Sequence, residues 1–267
     1  IILTGGVVYH FLAGFGGGRK CIVPGIASRE TIMKHHSLAL NKGMGSGSNP
    51  NVCSGNISAS NPFHMDMMEA AAMAQPCFIL NVVVDTDFGI LRCYAGDYIK
   101  AHQEACKLVD QLYGIELPCE ADLSIATAGG FPKDINFYQT SKTFFNAIAA
   151  TKKGGTMIVA SACSEGLGDP DLAHIFCDFK TMVDREKAVR EHFSIGGFIG
   201  FKAAEAAEHY HFILVTTMDE KYFANSHVHV TRSIKEAIAL AYQLEGRTDL
   251  KAYIMPHGAN TLPKIKR

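Results

Sequence analysis

The first twenty residues, IILTGGVVYHFLAGFGGGRK (1–20), decide how the rest of the chain is interpreted. The apolar, β-branched run from Ile1 to Tyr9 predicts a strand, and His10 to Lys20 follow it as a glycine-rich loop. Ser28 is a suitable N-cap for a helix from Arg29 to about Asn41. The order of strand, glycine loop and helix is where α/β proteins commonly place a phosphate or a cofactor.

Strands and helices are predicted to alternate along the remaining chain. The predicted strands are Phe78–Val84, Gly89–Cys93, Leu123–Ala128, Met157–Ala160, Phe212–Thr216 and Ala252–Met255. The predicted helices begin at Pro62 or span Tyr98–Tyr113, Ile135–Ala150, 180–192, 198–208 and Ile234–Leu244. This alternation predicts an α/β fold with a doubly wound, mainly parallel sheet and helices on both faces, in one domain over residues 1–267.

Two further local features carry expectations. Gly43 to Asn61 is rich in glycine, serine and asparagine, and we expect a long functional surface loop there. The helix beginning at Pro62 carries four methionines, which we expect to pack in the core: Met65, Met67, Met68 and Met73.

Composition excludes several classes of protein. The 267 residues carry a formal net charge of −1, which gives no reason to expect nucleic acid as a partner. No apolar run approaches the roughly 18 residues that span a bilayer, so we expect no membrane association. The 8 cysteines contain no C-x-x-C pair, which indicates reduced thiols in a cytoplasmic protein and argues against a cysteine-based zinc site.

The glycine loop matches neither common nucleotide motif. After Gly14, the pattern G-x-G-x-x-G would need a glycine where Arg19 stands, and a P-loop would need Ser or Thr after Lys20. Gly16, Gly17 and Gly18 nevertheless allow close approach of a ligand to the backbone. Lys20 can neutralise a phosphate or serve as a nucleophile.

Histidines flank this loop at His10 and at the adjacent pair His35 and His36. Neutral imidazole is a common metal ligand and also a general base. Neighbouring positions on a helix point about 100° apart, so at most one histidine of the pair faces the glycine loop.

A second group of polar residues follows the strand that ends at Ala128. Gln139 and Lys142, with Tyr138 beside them, share one face of a helix, and an amide with an ammonium suits a carboxylate or hydroxyl ligand. The roles of Glu165, in a third strand-end loop, and of the alternating His227 and His229 stay open.

These motifs together resemble the nickel-dependent lactate racemase family over most of the chain. The matching segments are His10-x-x-Ala-Gly-Phe-x-Gly-Gly-x-Lys20, Pro24-Gly25, Thr31-Ile-x-x-x-His36 and Gly129-Gly-x-Pro-x-Asp134-Ile-Asn-x-Tyr-Gln139-x-x-Lys142. Each motif is weak alone, and their occurrence together in one order is specific.

The resemblance implies a racemase or epimerase of a 2-hydroxy acid that uses a nickel pincer nucleotide, a pyridinium bis-thiocarboxylate mononucleotide. Lys20 matches the lysine that tethers this cofactor, beside Gly16, Gly17 and Gly18, and His36 matches the histidine that binds nickel. His10 matches one of two catalytic histidines. The residues that match substrate contacts are Tyr138, Gln139 and Lys142. Cofactor-synthesis proteins are then expected partners.

The family also has a second catalytic histidine and an arginine upstream of His10, where this chain has nine residues. We therefore expect the C-terminal domain of a longer protein whose N-terminal domain is absent, inactive by itself. Two alternatives stay open. One is a nicotinamide-dependent dehydrogenase of a hydroxy acid, which the missing fingerprint disfavours, and the other is a non-enzymatic module that binds a phosphorylated ligand.

Overall fold

Two separate sheets organise the chain in the computed structural model, which describes residues 1–85 and 89–266. The first structural unit comprises residues 1–41 and 48–114, and the second comprises residues 42–47 and 115–267. This division differs from the one domain predicted over residues 1–267. The reason is that each unit has its own sheet and buries its own apolar cluster, which the alternation of strands and helices does not show.

The first unit is built on a three-stranded sheet in the order β1-β4-β5. Strand β4 is parallel to β1 and antiparallel to β5. Its elements are β1 (Ile2–Gly6), β2 (Tyr9–His10), β3 (Gly14–Phe15), α1 (Arg29–Ser37), α2 (Pro62–Ala74), β4 (Phe78–Val84), β5 (Ile90–Gly96) and α3 (Lys100–Tyr113). Val83 of β4 packs with Ala105 and Val109 of α3 in the core, which places α3 under the central strand.

The second unit is built on a five-stranded parallel sheet in the order β10-β9-β8-β7-β11. Its elements are β6 (Gly114–Leu117), β7 (Ala121–Thr127), α4 (Phe137–Ile148), β8 (Thr151–Ala160), α5 (Pro170–Cys177), α6 (Met182–Glu191), α7 (Ile195–His209), β9 (His211–Val215), β10 (His229–Thr231), α8 (Ile234–Glu245), β11 (Ala252–Met255) and β12 (Leu262–Ile265). Strands β6 and β12 form a separate pair. The predicted α/β class with a mainly parallel sheet is confirmed.

Helices cover both faces of the second sheet. Ala237 and Ala241 of α8 pack on Ile158 and Ile213 at one face. On the other face, α4 contributes Phe144, whose ring centroid lies 5.1 Å from that of Phe212 in β9. The chain passes from β7 to β8 on one side of β7, while β11 lies on its other side. The strand order therefore reverses between β7 and β11, and ligands of open α/β sheets bind at such a point.

Some expectations about individual elements are wrong. Of the four methionines of α2, only Met67 is fully buried, whereas Met65 and Met73 are 37% and 86% exposed, so the methionines do not form one core face. Helix α5 is absent from the predicted elements because its eight residues are too few for a clear helical period, although Asp169 caps it. Gly43 to Asn61 forms a long loop as predicted, without a helix or a named strand.

Each of the 8 cysteines is a free thiol in the structure. Among the residues that the structure describes, no helix is both long enough and apolar enough to cross a membrane.

Candidate functional site

The glycine loop needs glycine for backbone reasons at two of its three predicted positions. Gly17 and Gly18 have φ of 67° and 58°, a region that side chains other than glycine rarely adopt. A Cβ at Gly18 would lie 2.6 Å from the His102 ring, and one at Gly17 would lie 2.9 Å from Val7 Cγ2. Gly16 is buried without a positive φ. The space beside Gly17 and Gly18 is therefore filled by protein atoms.

Asn81, in the middle of strand β4, holds the loop from beneath. Its side chain is fully buried; its Oδ1 accepts a hydrogen bond from Gly18 N at 3.2 Å, and its Nδ2 donates to Gly5 O at 3.0 Å. One amide thus joins the sheet to the loop, two residues before Lys20. Buried polar groups require such partners, so the bond fixes the loop in one position.

The buried side chain of Arg19 binds the same loop. It is 1% exposed and donates hydrogen bonds to the carbonyl oxygens of Ala13 at 2.5 Å and Phe15 at 3.2 Å. Burial lowers the pKa of Arg19 to about 10, which still leaves the guanidinium charged at neutral pH. The side chain of Arg19 thus ties the segment before the glycines to the segment that carries Lys20.

His102 of α3 contacts both Arg19 and the loop. Its Nε2 lies 2.9 Å from Gly16 O and 3.0 Å from Arg19 Nη1. Burial, together with the charge of Arg19, lowers the pKa of His102 to about 4. The ring is therefore neutral at physiological pH and serves as a fixed polar support under the loop.

Helix α1 carries His36, which belongs to the same unit as Lys20. Ser28 Oγ caps the helix by accepting from Thr31 N at 3.2 Å. His36 is buried, and its Nδ1 donates to Ile32 O at 2.8 Å, which leaves Nε2 with its lone pair. Burial, with smaller contributions from the charges of His35 and Lys20, lowers the pKa of His36 to about 4. A neutral imidazole with one N–H held by a carbonyl is the usual form of a metal ligand.

His35 is buried as well, although it points elsewhere. Its Nδ1 lies 2.6 Å from Asp66 Oδ2 and its ring centroid lies 3.9 Å from that of Phe63. Its Nε2 is buried without a partner in the described chain. These contacts assign His35 to the packing of α1 on α2.

His10 stands at the end of β2, at the start of the segment that leads to the glycines. Its Nδ1 accepts hydrogen bonds from Leu12 N at 3.2 Å and Ala13 N at 3.1 Å. Two N–H groups directed at Nδ1 require a lone pair there, so the proton of the neutral ring lies on Nε2.

In the second unit, the first turns of α4 carry Tyr138, Gln139 and Lys142. Asn136 caps this helix by accepting from Gln139 N at 2.9 Å. Lys142 Nζ donates to Gln139 Oε1 at 2.7 Å. Lys142 lies at the surface, yet the protein around it removes enough hydration to lower its pKa. Burial raises the pKa of Tyr138, which stays a neutral phenol.

The third loop, which follows β8, supports the start of α4 through its backbone. Glu165 N donates to Ile135 O at 2.8 Å and Cys163 N donates to Asp134 O at 2.7 Å. The Glu165 side chain itself is exposed. The structure therefore gives this loop a positioning role through main-chain bonds.

The histidine pair of β10 and the preceding loop does not form a metal centre in the described part of the chain. His227 Nε2 lies 3.4 Å from Glu208 Oε1 at the surface, and His229 is half-buried. Within residues 1–85 and 89–266, no three side chains of His, Cys, Asp or Glu could together hold a metal ion. A metal at His36 would consequently need ligands that the described residues do not supply.

Three supporting residues are absent from the sequence-based predictions: Asn81, Arg19 and His102. Asn81 could have been found, because it interrupts the apolar strand FILNVVV, where a polar residue needs a buried partner. Arg19 and His102 carry no such signal, because nothing in the sequence shows that α3 lies under the glycine loop.

Comparisons with known proteins agree with this arrangement. Residues 117–262 match the model of the lactate racemase C-terminal domain, and residues 1–47 match that of the lactate racemase N-terminal domain. The chain therefore belongs to the lactate racemase family. Residues 1–47 thus match the N-terminal domain model, and the expectation that a further part of a longer protein is absent from this chain stays a prediction.

Named relatives support the same assignment. The chain is 34% identical to the lactate racemase of Lactiplantibacillus plantarum over 99% of its own length and 61% of the relative's. It is 38% identical to the lactate racemase of Thermoanaerobacterium thermosaccharolyticum over 69% of its length and 41% of the relative's. The chain thus spans less than two thirds of either racemase.

Solved structures give the same result for the fold. The lactate racemase apoprotein of Thermoanaerobacterium thermosaccharolyticum superposes with a TM-score of 0.89 at 31% identity, over 98% of this chain and 62% of that one. A protein from Thermotoga maritima superposes with a TM-score of 0.69 at 18% identity, over 99% of this chain and 66% of that one, which shows the fold alone.

Proposed function

We propose that this chain is part of an enzyme that inverts the configuration of a lactate-like 2-hydroxy acid with a nickel pincer nucleotide tethered to Lys20. The observation that carries the proposal is the buried His36, whose Nδ1 donates to Ile32 O and leaves a lone pair on Nε2, in the same unit as Lys20. The names of the relatives, both lactate racemases, support the reaction.

The residues present fit such a group. Lys20 supplies an amine at the end of a loop that Asn81, Arg19 and His102 hold in place. His36 supplies one neutral nitrogen ligand, and the pincer itself would supply the carbon and sulfur ligands that the described protein lacks. When bound, the group supplies reversible acceptance of a hydride, which avoids removal of a weakly acidic proton from carbon.

His10 is proposed to act on the hydroxyl group of the substrate. With Nδ1 accepting from the two amides, the proton of its neutral ring lies on Nε2, and such an N–H suits a hydroxyl or carbonyl oxygen. To remove the hydroxyl proton as a general base, the ring must turn so that Nδ1 leaves the amides of Leu12 and Ala13. The same motion in reverse would return the proton.

The start of α4 is proposed to bind the carboxylate of the 2-hydroxy acid. Lys142 offers a positive charge to the carboxylate, while Gln139 and Tyr138 offer an amide and a phenol that hydrogen-bond to oxygen. Because this chain spans 61% of the Lactiplantibacillus plantarum racemase, we propose that the remaining part of such a protein supplies the second base and the arginine. Cofactor-synthesis proteins would be transient partners, and the cytoplasm would be the location.

Intact mass and metal content test this proposal. The chain is co-expressed with a cofactor-synthesis system and nickel, beside a known racemase as positive control. We expect a covalent mass addition that maps to Lys20 and about one nickel per chain. Lys20→Arg should lose both, whereas Lys34→Arg, a matched change at an exposed lysine paired with Glu30, should keep both.

The histidines give the second arm of the experiment. His36→Ala should lose nickel and keep the covalent addition, while His35→Ala should keep nickel even where stability falls. No adduct and no nickel, in cells where the positive control is loaded, would refute the proposal and favour the module that binds a phosphorylated ligand.

A further inference from the structure

A small cavity lies under the glycine loop, within the first unit. Its volume is about 40 Å³, and Arg19, His64, His102 and Gln103 are among the residues that line it. One water molecule needs about 10–15 Å³ of such space, so the cavity has room for a water or for a monoatomic ion. Because Gln103 is also exposed at the surface, the cavity has a route to solvent.

The guanidinium of Arg19 lines this cavity without a counter-charge. It is almost fully buried, and its hydrogen-bond partners are the carbonyl oxygens of Ala13 and Phe15 and the neutral ring of His102. Among the residues that the structure describes, no carboxylate lies within 4.0 Å of it. Burial raises the pKa of the neighbouring Cys106 thiol to about 12, so that group is neutral as well. A buried charge without an opposite charge costs free energy, which a bound anion would recover.

Two side-chain nitrogens of the residues that line the cavity have no partner within the described part of the chain. Arg19 Nε and His64 Nδ1 are both buried and make no hydrogen bond there. His64 as a whole is 9% exposed. Buried polar groups are nearly always paired, so these two nitrogens indicate an occupant that the protein itself does not supply. Arginine Nε only donates, and a neutral imidazole donates from one nitrogen, so the occupant should be a hydrogen-bond acceptor.

We propose that this cavity binds a monoatomic anion such as chloride between Arg19 and His64. A water molecule would also accept from the two nitrogens, but only an anion balances the guanidinium charge as well. Apolar side chains, Ile57 and Met68 among them, also line the cavity, and in such surroundings opposite charges attract more strongly than in water. The ion would hold Arg19, and with it the loop that carries Lys20, in one position. This inference is independent of the proposed function, because it requires neither cofactor nor substrate.

Hydrogen exchange of the first unit in two salts tests the proposal. Sodium chloride replaces sodium methanesulfonate, whose anion is polyatomic and larger, at one fixed ionic strength. A ligand that binds only the folded protein slows exchange by the factor 1 + [L]/Kd, so about 100 mM chloride should slow it about 10-fold for a Kd of about 10 mM. Peptides of the first unit should respond, and peptides of the second unit should not. Equal exchange rates of the first unit in the two salts would overturn the proposal.

His64→Leu distinguishes a ligand contact from a structural role. Leucine removes a buried nitrogen that has no partner in the described chain, so the variant should be no less stable than wild type in methanesulfonate. Its response to chloride should fall below about 2-fold, because one of the two donors is lost. The control His229→Leu changes a half-buried histidine of the second unit and should keep the full response. A response in His64→Leu equal to that of wild type would contradict the proposal.

Bromide, a heavier analogue of chloride, locates the site directly. Crystals of the chain grown with sodium bromide should show an anomalous-scattering peak in the cavity, within hydrogen-bond distance of Arg19 and His64. A water molecule in the cavity, without a bromide peak, would refute the inference even where chloride slows exchange, because that effect would then come from another site.

Discussion

Replacing Asn81 with leucine tests whether one buried amide holds the loop that carries Lys20. The change removes the acceptor of Gly18 N and the donor to Gly5 O. Each buried group left without a partner costs about 1–3 kcal/mol. Burial of the leucine side chain returns about 1–2 kcal/mol, because the site is fully enclosed. We expect a net loss of roughly 2–3 kcal/mol from the first unit.

Hydrogen exchange followed by mass spectrometry suits this measurement, because it reports the two units separately and the chain has no Trp to report unfolding. A loss of roughly 2–3 kcal/mol corresponds to exchange about 30- to 150-fold faster in peptides of the first unit. Labelling of Lys20 by an amine-reactive probe should change in parallel, since Gly18 is two residues away.

Asn146→Leu is the matched control. Asn146 is a buried asparagine of α4 that donates to Gly258 O at 2.9 Å, so its loss should speed exchange in the second unit and leave Lys20 labelling unchanged. The reasoning is refuted if Asn81→Leu leaves first-unit exchange within about 3-fold of wild type, or if both variants change Lys20 labelling equally.

Two further predictions concern buried groups of the first unit. His36, His102 and His64, a buried histidine of α2, have a pKa of about 4 in the folded protein and about 6.5 in the unfolded chain. The unfolded chain therefore binds more protons between these values, and stability should fall as the pH drops from 6.5 to 4, by up to about 4 kcal/mol per pH unit. Urea unfolding at pH 7, 6 and 5 checks this, and a flat profile would contradict it. Gly18→Ala should lower the free energy of unfolding by more than about 2 kcal/mol, because of its positive φ and the clash with His102. The control Gly43→Ala, in the second unit, has a positive φ and open space around it, so it should lose only the energy of backbone strain. Equal losses in urea unfolding would count against the packing argument.

Local patterns were sufficient to predict most elements. The apolar runs of β4 and β9 and the cap Ser28 depend on neighbours within a few residues, so their positions follow from the sequence. The parallel character of the second sheet follows from the alternation of strand and helix, because parallel neighbours need a crossover. Helix α5 was not predicted, because its eight residues are too few to show a clear helical period.

Motifs in a fixed order determined the family, and the matched domain models confirmed it. The roles of His10, Lys20 and His36 are carried by that resemblance and stay predictions. The sequence placed Lys142 on a helix face with Gln139, and the structure shows their hydrogen bond. The division into two units was beyond the sequence, because separate cores are a property of packing.

What the sequence by itself determined is therefore the class of fold and the family, since both depend on local pattern and residue identity. Only the tertiary structure decided what those residues meet. Arg19, His102 and Asn81 are distant in the chain, yet they converge on one loop, and Lys133 meets Asn260 across a reversal of strand order. Burial and neighbouring charge set the pKa of each group, and both arise only when the folded chain brings distant segments together.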